Sequence, residues 1–216
     1  MGDAKTTYTI MSRAWKRGLL GIASASGGVG VGAKVLWARA GVGAVAVQAY
    51  ANPSLGVAIL EKMGIGVKPV EAVEMALAKD SHREYRQVAA LSASGDAVTY
   101  TGSHVPLFTG EHICEDVVCI GNTLKDSSIP KEMCNYMTSQ ITSVSNAKSF
   151  VKALINSLIL GHSLGGSKRG DKSIAILIVG ETQYGETYDR VVDVRVDYSS
   201  KPFNAIIKTL KLLNLW

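Results

Sequence analysis

From residue 6 to residue 50 the chain alternates Val, Ala and Ile with small or polar residues, and at Asn52-Pro53 that period of two gives way to a helical one. No other feature constrains the fold as strongly. The first stretch predicts four strands, at about 6–13, 18–25, 31–39 and 43–50. Residues 54–63 predict a helix stopped by Gly64 and Gly66, and 69–79 a second, with Pro69 at its start and Glu71 and Glu74 in its first turns. Strand character returns at 84–93, turns at Ser94-Gly95-Asp96 and resumes at 97–102 as a hairpin. A further strand fits 116–121. Helices are predicted at 130–140 and 147–160, strands at 173–179 and 190–197, and a closing amphipathic helix at 202–213. Blocks of strands followed by pairs of helices are not the alternating rhythm of a doubly wound parallel sheet. They predict an α+β protein, two antiparallel sheets packed face to face with helix pairs outside: a four-layer αββα sandwich.

Charge is unevenly placed. Residues 1–60 hold six cations (Lys5, Arg13, Lys16, Arg17, Lys34, Arg39) and one anion, Asp3, whereas the remaining residues hold 17 of each sign. The excess points to an anionic ligand, or to a site that wants a cation, in the first quarter. Nucleic acid is not the expected partner, because the cations are dispersed and no reader motif accompanies them. Three cysteines, an odd number, argue against a disulfide framework and for a cytoplasmic home. The longest charge-free run, 40–60, is broken by Gln48, Asn52-Pro53 and three glycines, so no membrane span is expected. Arg13, Lys16 and Arg17 interrupt any signal-peptide core.

Three motifs tempt and fail. Gly161-His162-Ser163-Leu164-Gly165 matches a nucleophile elbow, but a helix precedes it, a loop follows it, and His82, His104, His112 and His162 leave no histidine after Ser163. A helix end closed by glycine is the better reading. The glycine pattern from Gly28 to Ala33 lacks the acidic residue that a dinucleotide site needs about 20 positions later, and Lys34 is misplaced for a phosphate loop. A glycine-rich turn remains, whose amides are free to meet an anion. His112, Cys114, Cys119 and Cys134 show no Cys-x-x-Cys spacing, and neither a metal nor a cofactor is expected.

One stretch is more specific. Residues Trp37-Ala-Arg-Ala-Gly-Val-Gly-Ala-Val-Ala-Val-Gln-Ala-Tyr-Ala-Asn-Pro53 resemble the signature of the family called domain of unknown function 1028. Thr7-Tyr-Thr-Ile, Gly21-Ile-Ala-Ser-Ala-Ser26, Arg86-Gln-Val, Tyr100-Thr-Gly-Ser, Gly121-Asn122, Gly165-Gly-Ser-Lys-Arg-Gly170 and Asp189-Arg-Val-Val-Asp-Val-Arg-Val-Asp197 continue the resemblance in order. It implies the N-terminal nucleophile (Ntn) hydrolase superfamily, with a proteasome-like sandwich over residues 7–216 and an extension over 1–6. In that superfamily the first residue of the mature chain attacks an amide carbonyl while its own α-amino group serves as base. The resemblance therefore implies Thr7 as nucleophile, Arg39 where a catalytic lysine often stands, and Ser24 and Ser26 as hydrogen-bonding partners of the amine or hydroxyl. Gln48, Asn52 and Asn122 are the implied binding residues; Gln48 and Asn52 are equally able to serve only the strand-to-helix turn. Gly2 to Thr6 would have to be removed to free the Thr7 amine.

Three functions compete. The first is an amidohydrolase or peptidase acting on a small amide or peptide. The second is a catalytically silent protein of the same fold, a binding or assembly module. The third is an unrelated enzyme using His104 or His112 with the acidic loop of Glu111, Glu115 and Asp116. A homo-oligomer is expected, with Trp15, Trp216 and the last helix suited to an interface.

Overall fold

The computed structural model describes residues 6–106, 108–167, 170–185 and 187–216, so most of the expected N-terminal extension, and Lys168 and Arg169 of the glycine-flanked motif, lie outside the described residues. The strands are β1 (Thr7–Ala14), β2 (Leu19–Ser26), β3 (Leu36–Arg39), β4 (Gly43–Ala49), β5 (Arg86–Ser92), β6 (Ala97–Thr101), β7 (Gly110–Cys114), β8 (Val117–Asn122), β9 (Ser173–Val179) and β10 (Arg190–Val196). The helices are α1 (Val31–Lys34), α2 (Pro53–Gly64), α3 (Pro69–Leu77), α4 (Ile129–Ile141), α5 (Ala147–Ser163) and α6 (Pro202–Leu212). Six strands form one sheet in the order β10-β9-β2-β1-β8-β7 and four form the other in the order β3-β4-β5-β6. Every pairing is antiparallel.

Strand periodicity sorts the side chains into layers. Along β1, Tyr8 and Ile10 point to the outer face of the six-stranded sheet, where Met133, Phe150, Leu154 and Ile206 of α4, α5 and α6 cover them. Met11 points inward and packs with Ile22, Ala46, Leu91, Ile120 and Leu177 between the two sheets. On the far side Val45, Val47 and Val88 of the four-stranded sheet receive Leu55 and Ile59 of α2 and Val73 and Leu77 of α3. The two sheets and their helix layers make the expected αββα sandwich, with α6 added to the pair on the larger sheet. Each fully buried Ile, Leu or Phe in these layers contributes about 1.5–3 kcal/mol. Gly21 marks where α5 comes closest, since a Cβ there would run into Leu154 and Phe150.

Local chemistry sets the element ends. Asn52 caps α2 by accepting the Ser54 N–H, and Pro53 fills the first helical position. Asn146 and Ser149 form a reciprocal capping box on α5. Among the described residues no helix is long and apolar enough to cross a membrane.

Two expectations are corrected. Residues 31–39 are not one strand: Gly30, at φ 70°, turns the chain into the single helical turn of α1, and only four residues, Leu36 to Arg39, pair as β3. An edge strand, β7, went unpredicted because half-exposed Gly-Glu-His-Ile-Cys carries no clean alternation.

Candidate functional site

The inward face of the sandwich changes character along the strands. At one end it is Met11, Ile22, Leu91 and Ile120. Two to four residues further along the same strands, the inward positions are Thr7, Thr9, Ser24, Ser26, Gln48, Gln87 and Asn122, all buried. Buried polar groups must satisfy one another, and these do so in a continuous network. Thr9 Oγ1 donates to Gln48 Oε1 at 2.6 Å and lies 2.8 Å from Ser24 Oγ. Gln48 Nε2 donates to the Thr7 carbonyl at 3.2 Å and to Gln87 Oε1 at 2.8 Å. Gln87 in turn donates to Thr101 and to the Gly121 carbonyl, and Asn122 Nδ2 donates to Gln87 Oε1 at 3.3 Å. Asn122 Oδ1, buried and paired in register with Thr7, accepts no hydrogen bond among the described residues.

Thr7 opens β1 and is paired on both sides from its first position, with Ser26 of β2 and Asn122 of β8. Its Oγ1 stands 3.0 Å from Ser26 Oγ. Ser26 Oγ donates to the Thr6 carbonyl at 2.8 Å and accepts the Gly28 N–H at 2.9 Å. Because the serine's single proton is committed to Thr6, its remaining lone pair receives the Thr7 hydroxyl proton. The Gly27 N–H also reaches the Thr6 oxygen, at 3.0 Å. The carbonyl preceding Thr7 is therefore held by two donors, and the Thr7 hydroxyl is polarised by an acceptor beside it.

Thr7, Ser26 and Gln48 open into a cavity of about 520 Å³, within the range of small-molecule sites. One wall is four rings in series, Tyr50, His82, Tyr85 and His104, with successive centroids 6.1, 6.3 and 4.8 Å apart. The glycine-rich turn and α1 also line it, with Lys34 their cation, and no carboxylate among the described residues does. Behind the rings, Arg86 lies over Tyr50 at 4.8 Å, donates to the Tyr50 carbonyl and pairs with Asp80 at 2.7 Å. The Arg86 guanidinium, aided by the His82 N–H, holds the Asp80 carboxyl below its ordinary 3.8. Glu84 fixes the His104 loop by accepting the Ser103 N–H at 2.9 Å and hydroxyl at 2.8 Å, which lower its pKa as well. Ala49, between Gln48 and Tyr50, has φ 66°, a conformation unfavourable to any residue but glycine.

The fold brings together Thr7, Ser24, Ser26, Gln48 and Asn122. It does not bring Arg39, which is exposed at the end of β3, lies against Gly64 of α2 and does not line the cavity. Alternation along β3 is the reason, since Leu36 and Ala38 face the inter-sheet core and Arg39 the other side; Lys34 of α1 lines the cavity instead. Asn52 serves as the α2 cap and does not line this cavity. The rival histidine arrangement does not form either. His104 lies tilted against Tyr85, whereas two of the three expected acidic partners are engaged elsewhere, Glu111 with Thr101 and Asp116 with Arg13. Ser163 ends α5 and donates to the Leu160 carbonyl, as a helix terminus rather than an elbow. Trp15 is exposed, and Trp216 packs half-buried on the outer core. Sequence reasoning missed Gln87, Tyr50, His82 and Tyr85 as site residues; Gln87 stood in the Arg86-Gln-Val motif, but Tyr50 and Tyr85 lie just beyond strand ends, where periodicity does not say what a ring will meet.

The model of a family described as "Family of unknown function (DUF1028)" matches residues 7–206. No curated protein matches the chain. Among solved structures, the crystal structure of protein SPO2555 from Silicibacter pomeroyi, a DUF1028 family-model protein, is similar over 97% of this chain and 86% of that one, at 27% identity and a TM-score of 0.82. Anbu (ancestral beta-subunit) from Yersinia bercovieri aligns over 96% of this chain and 94% of its own, at 12% identity and a TM-score of 0.43.

Proposed function

The chain belongs to the DUF1028 family, and from that premise we propose that it is an amide hydrolase of the N-terminal nucleophile type, with Thr7 as nucleophile once residues 1–6 are removed. The observation that carries this reading is the Thr6–Thr7 junction. Ser26 Oγ and the Gly27 N–H both donate to the Thr6 carbonyl, at 2.8 and 3.0 Å, while the Thr7 hydroxyl stands 3.0 Å from the same serine. That arrangement suits an intramolecular acyl shift. Thr7 Oγ attacks the Thr6 carbonyl carbon, the two donors stabilise the oxyanion, and the C–N bond breaks as the proton passes to the departing nitrogen. Water then hydrolyses the resulting ester, releasing residues 1–6 and leaving Thr7 with a free α-amine.

The same groups serve a substrate in turn. With Thr6 gone, Ser26 Oγ–H and Gly27 N–H are free to hold a substrate's amide oxygen. The α-amine, whose ordinary pKa of about 8 suits a base near neutrality, takes the Thr7 hydroxyl proton as Oγ attacks. The acyl group moves to Thr7, the protonated amine leaves, and water cleaves the ester. Asn122 Oδ1, buried beside Thr7 and without a donor among the described residues, is a ready acceptor for the α-ammonium. Lys34 lines this cavity where Arg39 does not, and neither step above draws on it.

N-terminal sequencing and intact mass of the full chain test the reading. The wild-type protein is expected to begin at Thr7 and the Thr7→Ala variant to retain the residues before it. A wild-type chain that keeps Thr6 overturns the mechanism. One observation favours the alternative, a silent binding module: Thr6 is itself 1% exposed and donates its hydroxyl to the Thr123 carbonyl at 2.9 Å, so the uncut start is firmly seated.

A further inference from the structure

The cavity beside Thr7 pairs two recognition elements that no hydrolytic step requires. The first is the ring wall. Tyr50 follows β4, His82 and Tyr85 lie between α3 and β5, and His104 follows β6, so three separate chain segments converge to build it. Arg86 and Asp80 back Tyr50 from behind, and Glu84 pins the His104 loop. Rings held in contact in this way offer aromatic surface to a planar group. The second is Lys34. It is exposed, lines the same cavity, and among the described residues makes no ion pair. Among the described residues no carboxylate lines the cavity, and from Gly28 to Tyr50 the chain contains no acidic residue at all. An uncompensated cation over a cavity is a binding element for an anion.

We propose that the site takes amides carrying both an aromatic ring and a carboxylate, of the class of N-acylated aromatic amino acids: the ring lies on Tyr50, Tyr85 and His104, the carboxylate meets Lys34, and the scissile carbonyl reaches Thr7. This rests on the hydrolase reading for the position of the amide, but the ring and anion contacts do not depend on any cleavage. A neutral aliphatic amide fills neither element.

The test is equilibrium binding to the full chain carrying Thr7→Ala, which keeps Thr6 on the Ser26 and Gly27 donors and cannot turn its ligand over, so that calorimetry or ligand-observed NMR reads the ring and carboxylate contacts alone. N-acetyl-phenylalanine is the probe, compared with its neutral carboxamide, which lacks the charge, and with N-acetyl-alanine, which lacks the ring. Both comparison ligands are expected to bind about tenfold more weakly, the loss of one good contact. Lys34→Gln should weaken the acid by a similar factor and leave the neutral carboxamide unchanged, with Lys34→Arg restoring the acid. Tyr85→Leu should weaken both ring-bearing ligands alike. Equal binding of acid and carboxamide, or indifference of the acid to Lys34→Gln, overturns the ligand class. The two readings separate cleanly. Selective binding by Thr7→Ala without turnover by wild type sinks the hydrolase and leaves the ligand class standing, whereas cleavage of neutral aliphatic amides with no preference for the acid does the reverse.

Discussion

The Ser26 hydroxyl and the Thr6 carbonyl oxygen are joined by a 2.8 Å hydrogen bond that also places Ser26 Oγ 3.0 Å from the Thr7 hydroxyl. One serine thus touches both the hydroxyl proposed to attack and the carbonyl it would attack. Replacing Ser26 by Ala removes a donor to the oxyanion and the acceptor for the Thr7 proton. Release of residues 1–6 should slow by a factor on the order of 100–1,000, the usual effect of losing one oxyanion donor. A mass-spectrometric time course of newly made protein checks this; unchanged processing in Ser26→Ala would remove the serine from the reaction.

Gln48 is fully buried and joins Thr9, the Thr7 carbonyl and Gln87. Gln48→Leu strands these partners at the polar end of the core and should cost about 1–3 kcal/mol. Because Gln48 and Gln87 share a bond, a double-mutant cycle between them should show a coupling of about 0.5–3 kcal/mol rather than additivity. Denaturant unfolding of the three variants supplies the numbers.

Stability should fall on acidification in part through Asp80. Its carboxyl, 7% exposed, is held below the ordinary 3.8 by the Arg86 hydrogen bond. A folded-state value lower than the unfolded one contributes stability that is fully present above the unfolded value and is lost as pH falls through the folded one. At neutral pH Asp80→Asn should cost about 3 kcal/mol, since Arg86 is left buried with its charge unmatched. The gap between variant and wild type should narrow below about pH 4. A gap that stays constant from neutral pH to pH 2.5 would show that the ion pair does not shape the acid limb.

Ala49 occupies the left-handed region at φ 66° between Gln48 and Tyr50. Glycine is at ease there, so Ala49→Gly should stabilise the protein by about 1 kcal/mol. Thermal unfolding reads the gain directly. A loss instead would mean that the alanine methyl, at the cavity edge, contributes more by packing than its backbone costs.

The layers were legible in the sequence because each strand repeats with a period of two and each helix with its own. The parity of Thr7, Thr9 and Met11, all inward on β1, was readable for the same reason, as was that of Ser24 and Ser26. The site's other half was not. Tyr50, His82, Tyr85 and His104 come from three connections that carry no period, and only the closed sandwich shows that they meet. The resemblance misled at Arg39: Leu36 and Ala38 of β3 face the core between the sheets, so alternation turns Arg39 to the other face, against Gly64 of α2. Strand β7 escaped because an exposed edge has no buried face to impose alternation.

The double pairing of Thr7, to Ser26 on one side and Asn122 on the other, has a bearing on what a cut at this point would leave. A new chain end ordinarily frays, and reactive groups at a frayed tip wander. Here the end would emerge already stitched along both edges into the middle of a six-stranded sheet. Hydroxyl, amine and oxyanion donors would keep the spacing they had before cleavage, so the working site is inherited from the uncut chain and needs no second folding step.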